Sequence, residues 1–190
     1  MATALIALDF INDIVDPAGK IAGSAAQVAA RGTIAKARAA LVFARAAGWL
    51  PVLVKVGFAP GYATLPKASP LFGKAGEIGA LALGGWGTQF HPGLGAQDAD
   101  TVLVKPRVSG FYGTALEPVL RANGVGRLVV CGVSTAWAVQ STVREGHDRD
   151  YRMVVVEDAC AAATAEEHAT SIALLRRIAQ MVDVVGLGAL

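Results

Sequence analysis

The stretch "RLVVCGVSTAWAVQST", residues 127–142, decides how this chain is read. From Leu128 to Val133 it is an apolar run, the pattern of a strand covered on both faces. From Thr135 onward the pattern is that of a helix. A strand passing directly into a helix is the unit of a parallel α/β sheet, and the turn between the two is a common place for chemistry. Many α/β hydrolytic enzymes present a nucleophile there. In this chain the first helical turn offers only the methyl group of Ala138.

Working outward, the same alternation recurs. "TALIAL" (3–8) ends at Asp9 and is followed by the turn signals of "NDIVDPAG". From Ser24 to Gly48, Val28, Ile34, Leu41 and Val42 stand at near-helical spacing, which predicts one long amphipathic helix with Ser24 as N-cap and Gly48 as stop. Strands follow at 50–58 and 101–105, the latter ending in Lys105. The Gly- and Pro-rich connection between them is too long to be idle in a compact domain, and it is expected to build a pocket wall. A helix closed by Gly124, the strand at 127–133, a helix to about Asp150, a strand at 151–158, a helix at 165–180 and a strand at 181–187 complete the chain. The reading is a single α/β domain over 1–190, a Rossmann-like three-layer sandwich around a mainly parallel six-stranded sheet.

Bulk composition fits this and excludes other classes. A hydrophobic content of 54% over 190 residues is enough for one sizeable core. The mean hydropathy of +0.48 suits a sheet buried on both sides. Seventeen basic and fifteen acidic side chains give a net charge of +2 without any basic run, so nucleic acid is not an expected partner. The first residues carry no basic segment and reach Asp9 too soon for a signal peptide, and no stretch is apolar enough to span a bilayer. The expectation is a cytoplasmic protein without membrane contact. Cys131 and Cys160 lie in or beside strand-like runs and read as buried reduced thiols. A surplus of apolar helix surface points to a homodimer or homotetramer.

Polar residues at the carboxyl ends of strands are where a parallel sheet keeps its chemistry. Three places qualify: Asp9, Lys105 and the turn at 134–138. An acid, a base and a helix N-terminus can thus face one crevice.

The order "ALIALDF", then "GGWGTQFHPGL", then "VLVKPRVSGFYGTALEPVLRANGVGRLVVCGVSTAWAVQST" resembles the isochorismatase-like hydrolase superfamily. That group also holds nicotinamidases and N-carbamoylsarcosine amidohydrolases. The resemblance covers nearly the whole chain and implies a Rossmann-like parallel sheet with an Asp, Lys, Cys triad. Its Asp falls on Asp9, its Lys on Lys105 and its cysteine on Ala138. It also implies a cis peptide between Val133 and Ser134, and an oxyanion hole from the amides of Ser134 and Ala138. In the amidase members the thiolate attacks a carbonyl carbon while the Asp carries the proton.

Alanine cannot attack, and three explanations stand. A natural branch of the superfamily, the isochorismatases, has a small residue here and hydrolyses a vinyl ether, with the aspartate as acid and water as nucleophile. An amidohydrolase that cleaves a C–N amide, ureido or lactam bond could have been inactivated by a Cys-to-Ala change. A non-catalytic protein could bind a small molecule at the same place. The acid route needs a raised Asp9 pKa, whereas Lys105 nearby pushes it down. Cys160, after "VVED", is the one candidate for a substitute nucleophile. Trp86, Gln89, Phe111 and Trp137 lie at or near motif positions and are expected to wall a small planar substrate. No cofactor and no metal are expected, because His91, His147 and His168 are scattered, with His147 and His168 read as solvated or capping. Glu157 and Asp158 are candidate supporting groups at a strand end.

Overall fold

The computed structural model describes residues 1–190. Its centre is a six-stranded, all-parallel sheet of order β3-β2-β1-β4-β5-β6. The strands are β1 (Ala2–Leu8), β2 (Leu50–Val56), β3 (Thr101–Lys105), β4 (Val125–Val133), β5 (Arg152–Ala161) and β6 (Gln180–Val182). From Thr3 to Leu8 every residue of β1 is buried, as a middle strand covered on both faces requires. The order reverses between β1 and β4. That reversal opens a crevice above their carboxyl ends.

The helices are α1 (Asn12–Val15), α2 (Ala25–Arg31), α3 (Thr33–Ala46), α4 (Leu116–Ala122), α5 (Gln140–Asp148) and α6 (Ala165–Leu175). On α3 the buried stripe is Thr33, Ala37, Ala40, Leu41 and Ala44, a helical repeat of mostly small residues that lets the helix lie close to β1, β2 and β5. α5 and α6 pack on each other and on β5, and α4 packs on β4. The three layers enclose one large core. No helix is long and apolar enough to cross a membrane.

The long helix expected from Ser24 to Gly48 is two. Gly32 takes a left-handed conformation, with φ of 62°, and closes α2 while opening α3. Ser24 precedes α2 but makes no side-chain cap bond. At the other end, β5 runs on through Glu157 and Asp158 to Ala161, while the last strand is only Gln180–Val182 and residues Val184–Ala189 form a 3₁₀ turn. Asp158 accepts a bond from the Val184 amide at 3.0 Å, which holds that turn against the sheet end.

The Gly- and Pro-rich connection folds over the carboxyl ends of β1 and β2. It makes a small core of its own, in which Phe58, Leu65, Phe72 and Leu81 surround Ile11 and Val56. Two residues of α1 tie it down. Asp13 accepts bonds from the Leu81 amide at 2.7 Å and the Lys20 amide at 3.2 Å, and the Asn12 side-chain amide donates to the Trp86 carbonyl at 2.9 Å.

Gly132, one residue before the end of β4, lies tight against Leu8 of β1. A Cβ there would stand 2.6 Å from both the Cβ and the carbonyl oxygen of Leu8, so backbone would have to move. Gly132→Ala is expected to destabilise the fold by about 3 kcal/mol, the upper range for overpacking. Gly23→Ala, where nothing lies within 4 Å, should change stability by no more than about 0.5 kcal/mol. Urea denaturation of the two variants checks both values.

Candidate active site

Asp9, Val56 and Lys105 occupy the ends of three neighbouring strands, with β2 between the acid and the base. Lys105 Nζ lies 2.7 Å from Asp9 Oδ2 across that strand. Asp9 Oδ1 accepts from the Val56 amide at 2.7 Å. The lysine donates as well to the carbonyls of Val108 at 2.8 Å and Arg107 at 3.2 Å. Both side chains are buried, Asp9 at 3% and Lys105 at 1% exposure. Asp9 has a φ of 58°, a left-handed conformation that aspartate tolerates better than most residues.

Two opposed effects act on the Asp9 carboxyl. Burial raises its pKa, and the charge and hydrogen bond of Lys105 together with the Val56 amide lower it. Burial is the largest, and the carboxyl is held above the ordinary carboxylate value.

The turn that opens the helix after β4 forms the facing wall. Val133–Ser134 is a cis peptide, as the family resemblance implied. Residues Thr135–Val139 make one π-helical turn that runs into α5. The amides of Trp137 and Val139 donate to the Ser134 carbonyl, each at 3.2 Å, and the Ala136 amide donates to Ser134 Oγ at 3.1 Å. The amides of Ser134 and Ala138 take no part in these bonds.

Between the pair and this turn lies a cavity of about 240 Å³. Asp9, Lys105, Ser134, Trp137 and Ala138 all line it, so five of the eight site residues read from the sequence come together. The other three do not reach it. Phe111 is a core residue, stacked on Tyr151 at 6.1 Å between ring centroids. Trp86 and Gln89 lie on an exposed part of the long connection, where their carbonyls anchor Asn12. The rest of the wall is largely apolar, in part from that connection through Leu71, Phe72 and Leu81 and in part from Ile14, Ile21 and Val108, with Ser24 and Glu167 as its polar members.

Neither cysteine can stand in at position 138. Both are fully buried and absent from the cavity wall. Burial pushes the Cys160 thiol up to about 12, and its Sγ donates to the Val156 carbonyl at 3.2 Å. Burial likewise raises the Cys131 thiol well above its ordinary value.

His168 is not solvated. It is buried on α6, with Nδ1 2.9 Å from Thr135 Oγ1 and Nε2 3.0 Å from the Arg31 guanidinium. Arg31 also donates to the carbonyls of Cys160 at 3.0 Å and Glu157 at 3.3 Å. This network sits behind the 134–138 turn and links it to the end of α2. Arg31 is more than a hundred residues from each of its partners and Thr135 is 33 from His168, so no local signal marks the network. His147 is exposed, and no group of three or more His, Cys, Asp or Glu side chains stands where it could hold a metal ion.

Comparison with known proteins shows the family and the fold. Residues 3–186 match the isochorismatase domain model. An uncharacterized isochorismatase family protein of Escherichia coli O157:H7, YecD, is 38% identical over 128 residues, 67% of this chain and 66% of that relative. The chain thus spans just under two thirds of that relative's length. Among solved structures, an isochorismatase family protein from Desulfovibrio vulgaris superposes with a TM-score of 0.87 at 29% identity, covering 99% of this chain and 97% of that one. N-carbamoylsarcosine amidase from Thermoplasma acidophilum superposes with a TM-score of 0.78 at 28% identity, covering 97% of each chain.

A buried pair of this kind has an asymmetric energetics. Lys105→Met leaves a buried carboxyl without its partner and should cost about 3–5 kcal/mol. Adding Asp9→Asn to it removes the second charge and should restore most of that loss. A double-mutant cycle by chemical denaturation gives the coupling, and an additive result would contradict the pairing.

Proposed function

The chain belongs to the isochorismatase family, and we propose that within this hydrolytic family it cleaves a small molecule without a cysteine, water attacking with the help of Asp9 on a bond of the vinyl-ether type. The single observation that carries the reading is the meeting of a buried Asp9–Lys105 pair with a backbone turn around one cavity whose nucleophile position holds a methyl group. The roles follow from position. Protonated Asp9 gives its proton to the enol-ether carbon, which leaves a cation stabilised by the ether oxygen. Water adds at the cationic carbon and its proton returns to the Asp9 carboxylate. The resulting hemiketal breaks down to a carbonyl compound and an alcohol.

Lys105 orients the carboxyl. The amides of Ser134 and Ala138 are the donors for developing negative charge on oxygen, and Trp137 forms a side of the substrate cavity. The acid role needs a proton on Asp9 nearer neutrality than an exposed carboxyl would hold one, and burial acts in that direction.

A second reading is favoured by one observation, the likeness over 97% of each chain to N-carbamoylsarcosine amidase. On it the cavity accepts a C–N amide, ureido or lactam substrate, and Ala138 is what stops the reaction. The two readings diverge in a panel of enol ethers, amides, ureas and lactams. The first expects the Ala138 protein to turn over an enol ether. The second expects hydrolysis of amides or ureas only after Ala138→Cys. Failure across the panel by both proteins, with tight binding of one compound, would instead make it a binding protein.

Under the first reading Asp9→Asn lowers kcat by about 10²–10⁴ with the fold intact by circular dichroism. The rate of the unaltered protein is held at low pH and falls as pH rises through the raised pKa of Asp9, because only the protonated carboxyl can act. Unchanged turnover by Asp9→Asn, or a rate that rises through that range, overturns the assignment.

A further inference from the structure

Three charged residues line the cavity: Asp9, Lys105 and Glu167. Their availability to a ligand differs sharply. An ammonium has three N–H donors, and those of Lys105 meet Asp9, Arg107 and Val108 within hydrogen-bond distance. It has none left for a bound molecule. Glu167 is the opposite case. It is exposed at the cavity wall, three residues into the helix capped by Thr164, whose hydroxyl accepts from the Glu167 amide at 3.0 Å. Its carboxylate forms no hydrogen bond or ion pair with any other residue.

No cation other than Lys105 lines the cavity, and several that stand outside it are committed elsewhere. Arg31 points inward to His168 and the Cys160 carbonyl, Lys20 donates to the Gly79 carbonyl at 2.9 Å, and Arg107 donates to the Thr64 carbonyl at 3.0 Å. None of them lines the cavity. A ligand carboxylate would therefore enter a largely apolar space without a cationic partner and within reach of a like charge. Burial of an ion without a partner is strongly unfavourable. A neutral molecule escapes that penalty, and a cationic one gains Glu167.

We propose that the cavity selects uncharged or cationic small molecules with an apolar body, excludes carboxylates, and owes this preference to the free carboxylate of Glu167. The inference names the substrate class of the hydrolytic site proposed above and rests on that reading for its biological meaning. Glu167 acts as a specificity-determining residue and takes no part in bond cleavage.

The test is binding and needs no turnover. Benzylammonium, benzamide and benzoate share one ring and differ in charge; each is titrated into the intact protein and followed by the Trp137 indole resonance. The expected order of affinity is benzylammonium, then benzamide, then benzoate, with benzoate at least tenfold weaker than benzamide. Glu167→Gln keeps a side chain suited to the helix cap and should bring benzylammonium within threefold of benzamide. Glu167→Lys should raise benzoate above benzylammonium. Benzoate binding as tightly as benzamide, an order unmoved by both variants, or no binding of any probe overturns the proposal. A protein that cleaves nothing in the substrate panel but keeps this order refutes the hydrolytic reading alone.

Discussion

One ion pair organises this end of the molecule. Asp9 and Lys105 are ninety-six positions apart in sequence, yet their heads meet at 2.7 Å because β1, β2 and β3 lie side by side with their carboxyl ends aligned. Two charges withdrawn from water are tolerable only where each has partners. Here the Val56 amide serves the second oxygen of the carboxyl, and two carbonyls just beyond β3 serve the remaining protons of the lysine. The pair therefore locks the chain at the end of β3 as well as the acid after β1. The same enclosure that makes the pair expensive is what raises the carboxyl's pKa. Structural demand and the raised pKa come from one cause.

The opposite wall is held from behind. Arg31 has only donors, so the Nε2 of His168 must accept from it, which leaves the ring's other nitrogen protonated and facing the Thr135 hydroxyl. Burial and the Arg31 charge both push the imidazole pKa down, in keeping with a neutral ring. Thr135 is the first residue of the turn that carries Ala138. The break at Gly32 belongs to the same arrangement, since it ends α2 where Arg31 can reach the carbonyls of Glu157 and Cys160.

What the residues alone reveal follows the range of the forces involved. Strands such as β1 and β4, and the acid and base at the ends of β1 and β3, are readable because burial on both faces leaves continuous apolar runs and polar strand ends stand out against them. The cavity position of Ala138 and Ser134 follows from the strand-to-helix passage. Gly32 is less readable, because a glycine within a helical pattern is compatible with either a continued helix or a left-handed stop. Phe111 looks like a pocket aromatic by motif and proves to be core, since only three-dimensional packing tells Tyr151 to stack upon it. The β6 segment "MVDVVGL" has a strand's apolar content, but Asp183 accepts from the Gly186 amide at 2.9 Å and curls the chain into a 3₁₀ turn. His168 and Arg31 lack any local cue, because what makes them a network is tertiary contact.

The vacancy at 138 has to be understood together with the chemistry that surrounds it. A thiol is reactive when it is exposed to a ligand and its thiolate is stabilised, and the two cysteines of this chain have neither property. The cavity thus contains an acid with a raised pKa, a lysine whose protons are all committed, and no cysteine. Attack by a thiolate has no starting atom in such a set. Proton donation does, and a buried carboxyl whose other contacts are fixed is suited to giving and recovering one proton without moving. On the function proposed above, water is then the nucleophile, and the substrate is one that becomes electrophilic once protonated.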